Sequence, residues 1–130
     1  MMRAGTECRV SCTLAYAAPE AINAHSDRTE LTVHPSLDMW AIGVILYECL
    51  SGRPAFTFPG MIEEVFQCAR GELPYPWERP SLELPEGWRK SKARSFFQTC
   101  LSREPAARPS AKQLLASMRK LSSSTYTSAP

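Results

Sequence analysis

The sequence predicts an all-α fold, and three observations carry that prediction. Apolar residues recur at helical spacing in several separate stretches, and no stretch forms a convincing strand. Proline and glycine fall mainly at the ends of the periodic stretches, where helices start and stop. A chain of 130 residues holds one domain around one core.

Residues 1–12 show no period and read as a loose lead-in, or the remnant of a longer segment. A short helix can begin at Ala18-Pro19-Glu20-Ala21-Ile22. Proline is tolerated in a first turn because its missing N–H would be unpaired there, and a following Glu suits the helix dipole. Residues 25–36 are polar and read as a loop. Ser36 offers an N-cap for the strongest helix, Leu37 to Leu50, which Ser51-Gly52 ends. That helix is apolar on every face, with charge only at Asp38 and Glu48, and a helix of this kind belongs inside a protein.

A helix over Met61 to Arg70 places Ile62, Val65, Phe66 and Ala69 at helical spacing. From Gly71 to Trp88 repeated prolines argue for a long ordered loop. Ser91 to Leu101 reads as a helix with Ala93, Phe96, Phe97 and Cys100 inward. Ser110 caps a last amphipathic helix through Leu114, Leu115, Met118 and Leu121, and residues 122–130 read as a disordered tail.

Composition excludes several function classes. A formal net charge of +2 is too small to argue for nucleic acid or an anionic membrane surface. The basic run from Arg89 to Arg94 is interrupted by Ser91 and Ala93 and reads as a solvated helix start. Five cysteines with no CxxC pair, and two histidines without HExxH spacing, give no metal signature. The opening residues contain no apolar signal-peptide core, and the run from Met39 to Tyr47 falls short of the roughly 20 residues needed to span a bilayer. The expectation is an intracellular chain with reduced thiols, free of membrane and nucleic acid.

Three ordered motifs then carry a family resemblance. Thr13-Leu14-Ala15-Tyr16-Ala17-Ala18-Pro19-Glu20 resembles the end of a protein-kinase activation segment. Asp38-Met39-Trp40-Ala41-Ile42-Gly43-Val44-Ile45-Leu46-Tyr47-Glu48 resembles the central helix of the kinase C-terminal lobe. Cys100-Leu101 followed by Pro105-Ala106-Ala107-Arg108-Pro109-Ser110 resembles the block before the last helix of that lobe. Residues 13–121 are thereby identified as part of a serine/threonine protein kinase domain, without the β-rich ATP lobe or the catalytic loop.

The resemblance implies roles for individual residues. Thr13, Leu14, Ala15 and Tyr16 would face the protein substrate, with Thr13 bonding toward the catalytic residues. Glu20 and Arg108 would form an ion pair, and Asp38 would lie at a buried helix start facing the catalytic loop. Trp40 and Gly43 would serve packing. Ser11 and Thr6 would be candidate phosphosites. Cys12, Ala41 and Ala55 stand where many members carry Gly, Ser and Pro, which leaves substrate preference unread.

Phosphoryl transfer needs a glycine-rich loop, a strand lysine, a catalytic Asp and Asn, and a metal-binding Asp. None of the corresponding motifs occurs in this sequence, so no catalytic, cofactor or metal residue is expected in it. ATP and Mg²⁺ would belong only to a full-length kinase. The partners implied are a protein substrate or a partner kinase, with a pseudokinase-like binding module as the alternative function. An all-apolar helix lacking neighbours on one side forgoes several kcal/mol at about 25 cal/mol per Å². The isolated chain is therefore expected to be marginally stable.

Overall fold

The computed structural model describes residues 14–57 and 59–127, with side chains described as far as Leu121. Among the described residues six α-helices follow one another: α1 (Pro19–Asp27), α2 (Pro35–Ser51), α3 (Met61–Ala69), α4 (Glu86–Arg89), α5 (Arg94–Cys100) and α6 (Ala111–Thr127). Single 3₁₀ turns cover Pro76–Glu78, Ser81–Glu83 and Pro105–Ala107, and the described residues contain no strand. The all-α class is the observed one.

Local chemistry accounts for the helix ends. Pro19 starts α1, and Arg28 ends it in the left-handed region at φ 55°, a position usually given to glycine. The start of α2 corrects the expectation of a Ser36 cap. The helix begins at Pro35, and the His34 ring nitrogen Nδ1 accepts the Ser36 N–H at 3.1 Å. A ring nitrogen two residues upstream reaches the same orphan donor that a hydroxyl would. Gly52 closes α2 at φ 75° and donates its N–H to Glu48. Ser110 does cap α6, because its Oγ accepts the Gln113 N–H while Gln113 Oε1 accepts the Ser110 N–H. Helical backbone continues to Thr127, past the Leu121 at which the sequence pattern stops.

Helix α2 is the hub. It packs against α4, α5 and the Pro105–Ala107 turn, while α1 packs against α3. Its buried side carries Met39, Trp40, Gly43, Val44 and Tyr47. Its other side is uncovered, as expected of an all-apolar helix that lacks neighbours on one side in this chain. Asp38, Ile42, Ile45 and Cys49 recur at helical spacing and are exposed, Ile45 by 49%.

The proline-rich stretch is the second structural surprise. Prolines stop long helices there, yet α4 forms one turn after Pro85. The stretch folds back and delivers Tyr75, Trp77, Leu84 and Trp88 into the core. Tyr75 and Trp77 stack at 4.9 Å, Trp40 meets both edge-on, and Tyr47 lies edge-on between Trp77 and Trp88. Two glycines set the spacing around α2. A Cβ on Gly43 would lie 2.9 Å from Cys100 and Leu101 side-chain atoms, so α5 seats directly on the α2 backbone. A Cβ on Gly87 would lie 2.0 Å from the Leu50 carbonyl oxygen, which leaves no room for any side chain between α4 and α2.

Candidate functional site

The segment before α1 is a short, tightly held loop. Leu14 opens a single turn that the Ala17 N–H closes on the Leu14 carbonyl at 3.2 Å. Ala15, Ala18 and Pro19 are buried, and Leu14, Tyr16 and Ala17 pack against the core. Of the four residues expected to face a substrate, Ala15 is a core residue, while Leu14 and Tyr16 are half-buried. Thr13 lies outside the described residues, as do Thr6, Ser11 and Cys12.

Two straps hold this loop. At one end, the Tyr16 hydroxyl donates to Glu48 Oε1 at 2.7 Å, and Glu48 Oε2 accepts the Ala55 N–H at 2.8 Å. One carboxylate in the last turns of α2 therefore ties the loop before α1 to the loop after α2. At the other end, Arg108 grips Glu20 bidentately, Nη1 to Oε2 at 2.6 Å and Nη2 to Oε1 at 2.7 Å. Nη1 also donates to the Ser36 carbonyl and Nε to the Ser102 carbonyl. The guanidinium sits 5.2 Å from the Trp40 ring centroid. Its side chain is wholly buried and Glu20 is 23% exposed, so the pair is shielded but the carboxylate keeps some hydration. A planar fork matches these acceptors in a way that a lysine point charge cannot.

Asp38 sits in the first turn of α2, exposed, with no hydrogen bond or ion pair among the described residues. Its side of the helix is the same open stripe that carries Ile42 and Ile45. Trp40 and Gly43 lie on the packed side, touching Arg108 and α5 respectively.

Several structural residues escape sequence reasoning. Arg103 forms two hydrogen bonds to the Glu78 carboxylate, at 2.8 and 2.9 Å, donates to the Cys68 carbonyl at 2.7 Å, and lies over the Tyr75 ring. The Glu78 hydrogen bond raises the Arg103 pKa further above its ordinary value. No motif or period marks Arg103. Glu48 was visible as one of two charges on an apolar helix, and an isolated charge in such a setting is the usable signal.

The remaining chemistry is structural. Burial pushes the Cys68 and Cys100 thiols up to about 11, so neither is a nucleophile at neutral pH. No group of three or more His, Cys, Asp or Glu side chains that could hold a metal gathers among the described residues. No helix among them is long and apolar enough to cross a membrane.

Comparison with known proteins decides the family. The protein kinase domain matches residues 2–118. The chain belongs to the protein kinase family. Mitogen-activated protein kinase kinase 2 of Arabidopsis thaliana is 29% identical over 108 residues, covering 79% of this chain and 26% of the relative. Aurora kinase B of Danio rerio is 29% identical over 119 residues, covering 75% and 35%. Serine/threonine-protein kinase SBK1 of Mus musculus is 33% identical over 112 residues, covering 82% and 25%. The chain thus spans about a quarter to a third of the length of these curated relatives. It corresponds to the helical part of a kinase domain, with no β-sheet lobe among the described residues.

Proposed function

We propose that this chain is the substrate-side scaffold of a serine/threonine protein kinase, inactive alone and competent only beside the segments that supply ATP, Mg²⁺ and the catalytic loop. The double strapping of the 14–20 loop carries this reading. Glu48 and Arg108 fix both ends of the segment that would lie against the protein substrate. A loop held on a rigid helix is what positioning a phosphoacceptor requires, since phosphoryl transfer is mostly positioning and electrostatics. Similarity to serine/threonine-protein kinase SBK1 supports Ser/Thr rather than Tyr as the acceptor.

The open stripe of α2 is where the completing segments would pack, with Asp38 offering a carboxylate to their backbone N–H groups. Coexpression with the preceding part of a related serine/threonine kinase tests this. The expected outcome is a stable complex that phosphorylates a generic protein substrate on Ser or Thr, while the chain alone transfers nothing. Transfer by the purified chain alone, or no association that an Ile45→Asp variant weakens, would sink the reading.

The alternative is a non-catalytic, pseudokinase-like binding module. One observation favours it: α3 leaves Ile62 40% exposed beside half-buried Phe66, with shallow hollows on both sides of the Ile62–Glu63 ridge. Association with a kinase that persists in an Ile45→Asp variant but fails in Ile62→Asp would select this reading.

A further inference from the structure

The turn between α4 and α5 gathers cations around one hydroxyl. Arg89, Lys90, Lys92 and Arg94 all lie within three positions of Ser91, and the sequence from Gly87 to Arg103 contains no Asp or Glu. No other Ser or Thr in the sequence has more than two Lys or Arg so close. Of the four cations only Lys90 makes an ion pair among the described residues, to the Glu86 carboxylate at 2.9 Å. Both partners of that pair are exposed, and such a pair holds little energy. Buried Trp88 anchors the turn on one side and buried Phe97 on the other. Between them the Ser91 N–H donates to the Trp88 carbonyl and the Arg94 N–H to the Ser91 carbonyl, each at 3.3 Å. The second bond brings Arg94 back beside Ser91. Ser91 is partly exposed, and its Oγ accepts the Ala93 N–H at 3.2 Å. These hydrogen bonds are at the long end of their range, so the turn opens at small cost while its anchors stay packed. Helices α4 and α5 pack on the covered side of α2, so the turn lies away from the open stripe at Ile42 and Ile45.

We propose that Ser91 is a phosphorylation site for a separate protein kinase with an acidic peptide-binding surface, and that the phosphoryl group locks the α4–α5 turn. Charge complementarity selects the modifying enzyme, because cations precede and follow Ser91 and no neighbouring carboxylate repels an acidic surface. In the transfer Ser91 Oγ bonds to the γ-phosphorus of Mg²⁺-ATP and the P–O bond to the β-phosphate breaks. ADP leaves, and the hydroxyl proton passes to the modifying kinase's catalytic carboxylate. The product carries a charge of about −1.5 to −2 at pH 7 and three acceptor oxygens. Arg89 is the last residue of α4 and Arg94 the first of α5, so one phosphate between them bridges the two helices. The same four cations that direct the kinase then hold its product.

The test incubates the whole 130-residue chain with Mg²⁺-ATP and the catalytic fragment of protein kinase C, used as the probe. Peptide mass spectrometry should place phosphate on Ser91. Lys90→Glu/Lys92→Glu should slow that incorporation about tenfold or more, since it sets like charges against the acidic surface. Phosphorylation should lower the unfolding constant about fivefold, read in urea from the emission of the buried tryptophans, and added salt should shrink the gain. Ser91→Ala taken through the same reaction should show no such gain, which separates Ser91 from phosphate placed elsewhere. Lys90 and Lys92 are exposed and their variant keeps the hydroxyl, so it decides alone if Ser91→Ala fails to fold. Absence of phosphate from Ser91, or incorporation indifferent to the charge reversal, overturns the proposal. A phosphorylated chain no more stable than the unmodified one also overturns it.

Discussion

The two sides of α2 both carry large apolar side chains and meet opposite fates. On one side Met39, Trp40, Val44 and Tyr47 are almost completely buried, and Gly43 lets α5 approach the backbone itself. On the other side Ile42 and Ile45 face solvent between Asp38 and Cys49. Side-chain hydrophobicity does not distinguish them. Burial depends on whether another element arrives, and α4, α5 and the aromatic loop all arrive on the same side. A helix apolar all round is therefore a statement about how many neighbours it can accept.

The sharpest contrast should come from the buried ion pair. Arg108→Ala leaves a shielded Glu20 carboxylate and two carbonyls without their donor, and should cost about 3–5 kcal/mol. Urea unfolding followed by tryptophan emission measures it, since Trp40, Trp77 and Trp88 are all buried. Arg108→Lys should recover only part of the loss, because one ammonium cannot span both carboxylate oxygens. Full recovery by lysine would reduce the clasp to simple charge pairing.

Truncation on the two sides of α2 makes the comparison itself testable. Met39→Ala should cost about 2–5 kcal/mol by emptying packed volume. Ile45→Ala should stay within about 0.5 kcal/mol, as exposed positions do. An Ile45 cost equal to that of Met39 would mean that the open face is covered in solution. The same pair remeasured in complex with an upstream kinase segment should converge.

Smaller effects probe the second strap and the buried thiols. Tyr16→Phe deletes the hydroxyl that Glu48 accepts and should cost about 1 kcal/mol, with Glu48→Gln coupled to it in a double-mutant cycle. Burial raises Cys68 and Cys100 from 9.0 to about 11, so the folded state keeps protons that the unfolded chain releases above pH 9. Stability should be level below pH 9 and fall as the pH climbs toward 11. Replacing both cysteines with Ala should flatten much of that fall. Tyr75, raised in the same direction by burial, should retain the remainder.

Much of the fold was legible because its signals are local. Pro19, Gly52 and Ser110 mark helix ends through geometry that neighbouring residues alone decide. The helix starting at Pro35 was readable in place but not in cap, since a histidine acceptor leaves no distinctive pattern. At the candidate site, Glu20, Arg108 and Trp40 were named from motif order, and the structure brings them together. Arg103, Gly87 and the partners of Glu48 were not legible. Each acts on a residue outside its own helix or turn, and nothing in its own neighbourhood records the meeting.

The amino-acid order by itself determined the helical class, the position of the central helix and the three motifs that place the chain among protein kinases. These depend on backbone preference and on residue identities in short windows. Only the tertiary structure decided that Ile42 and Ile45 stay open, that a proline-rich loop closes the core, and that Glu48 and Arg108 strap the same loop from opposite ends. Those outcomes depend on which distant segments meet. For α2 the covering elements come from one side, and its other apolar side remains exposed for want of a neighbour.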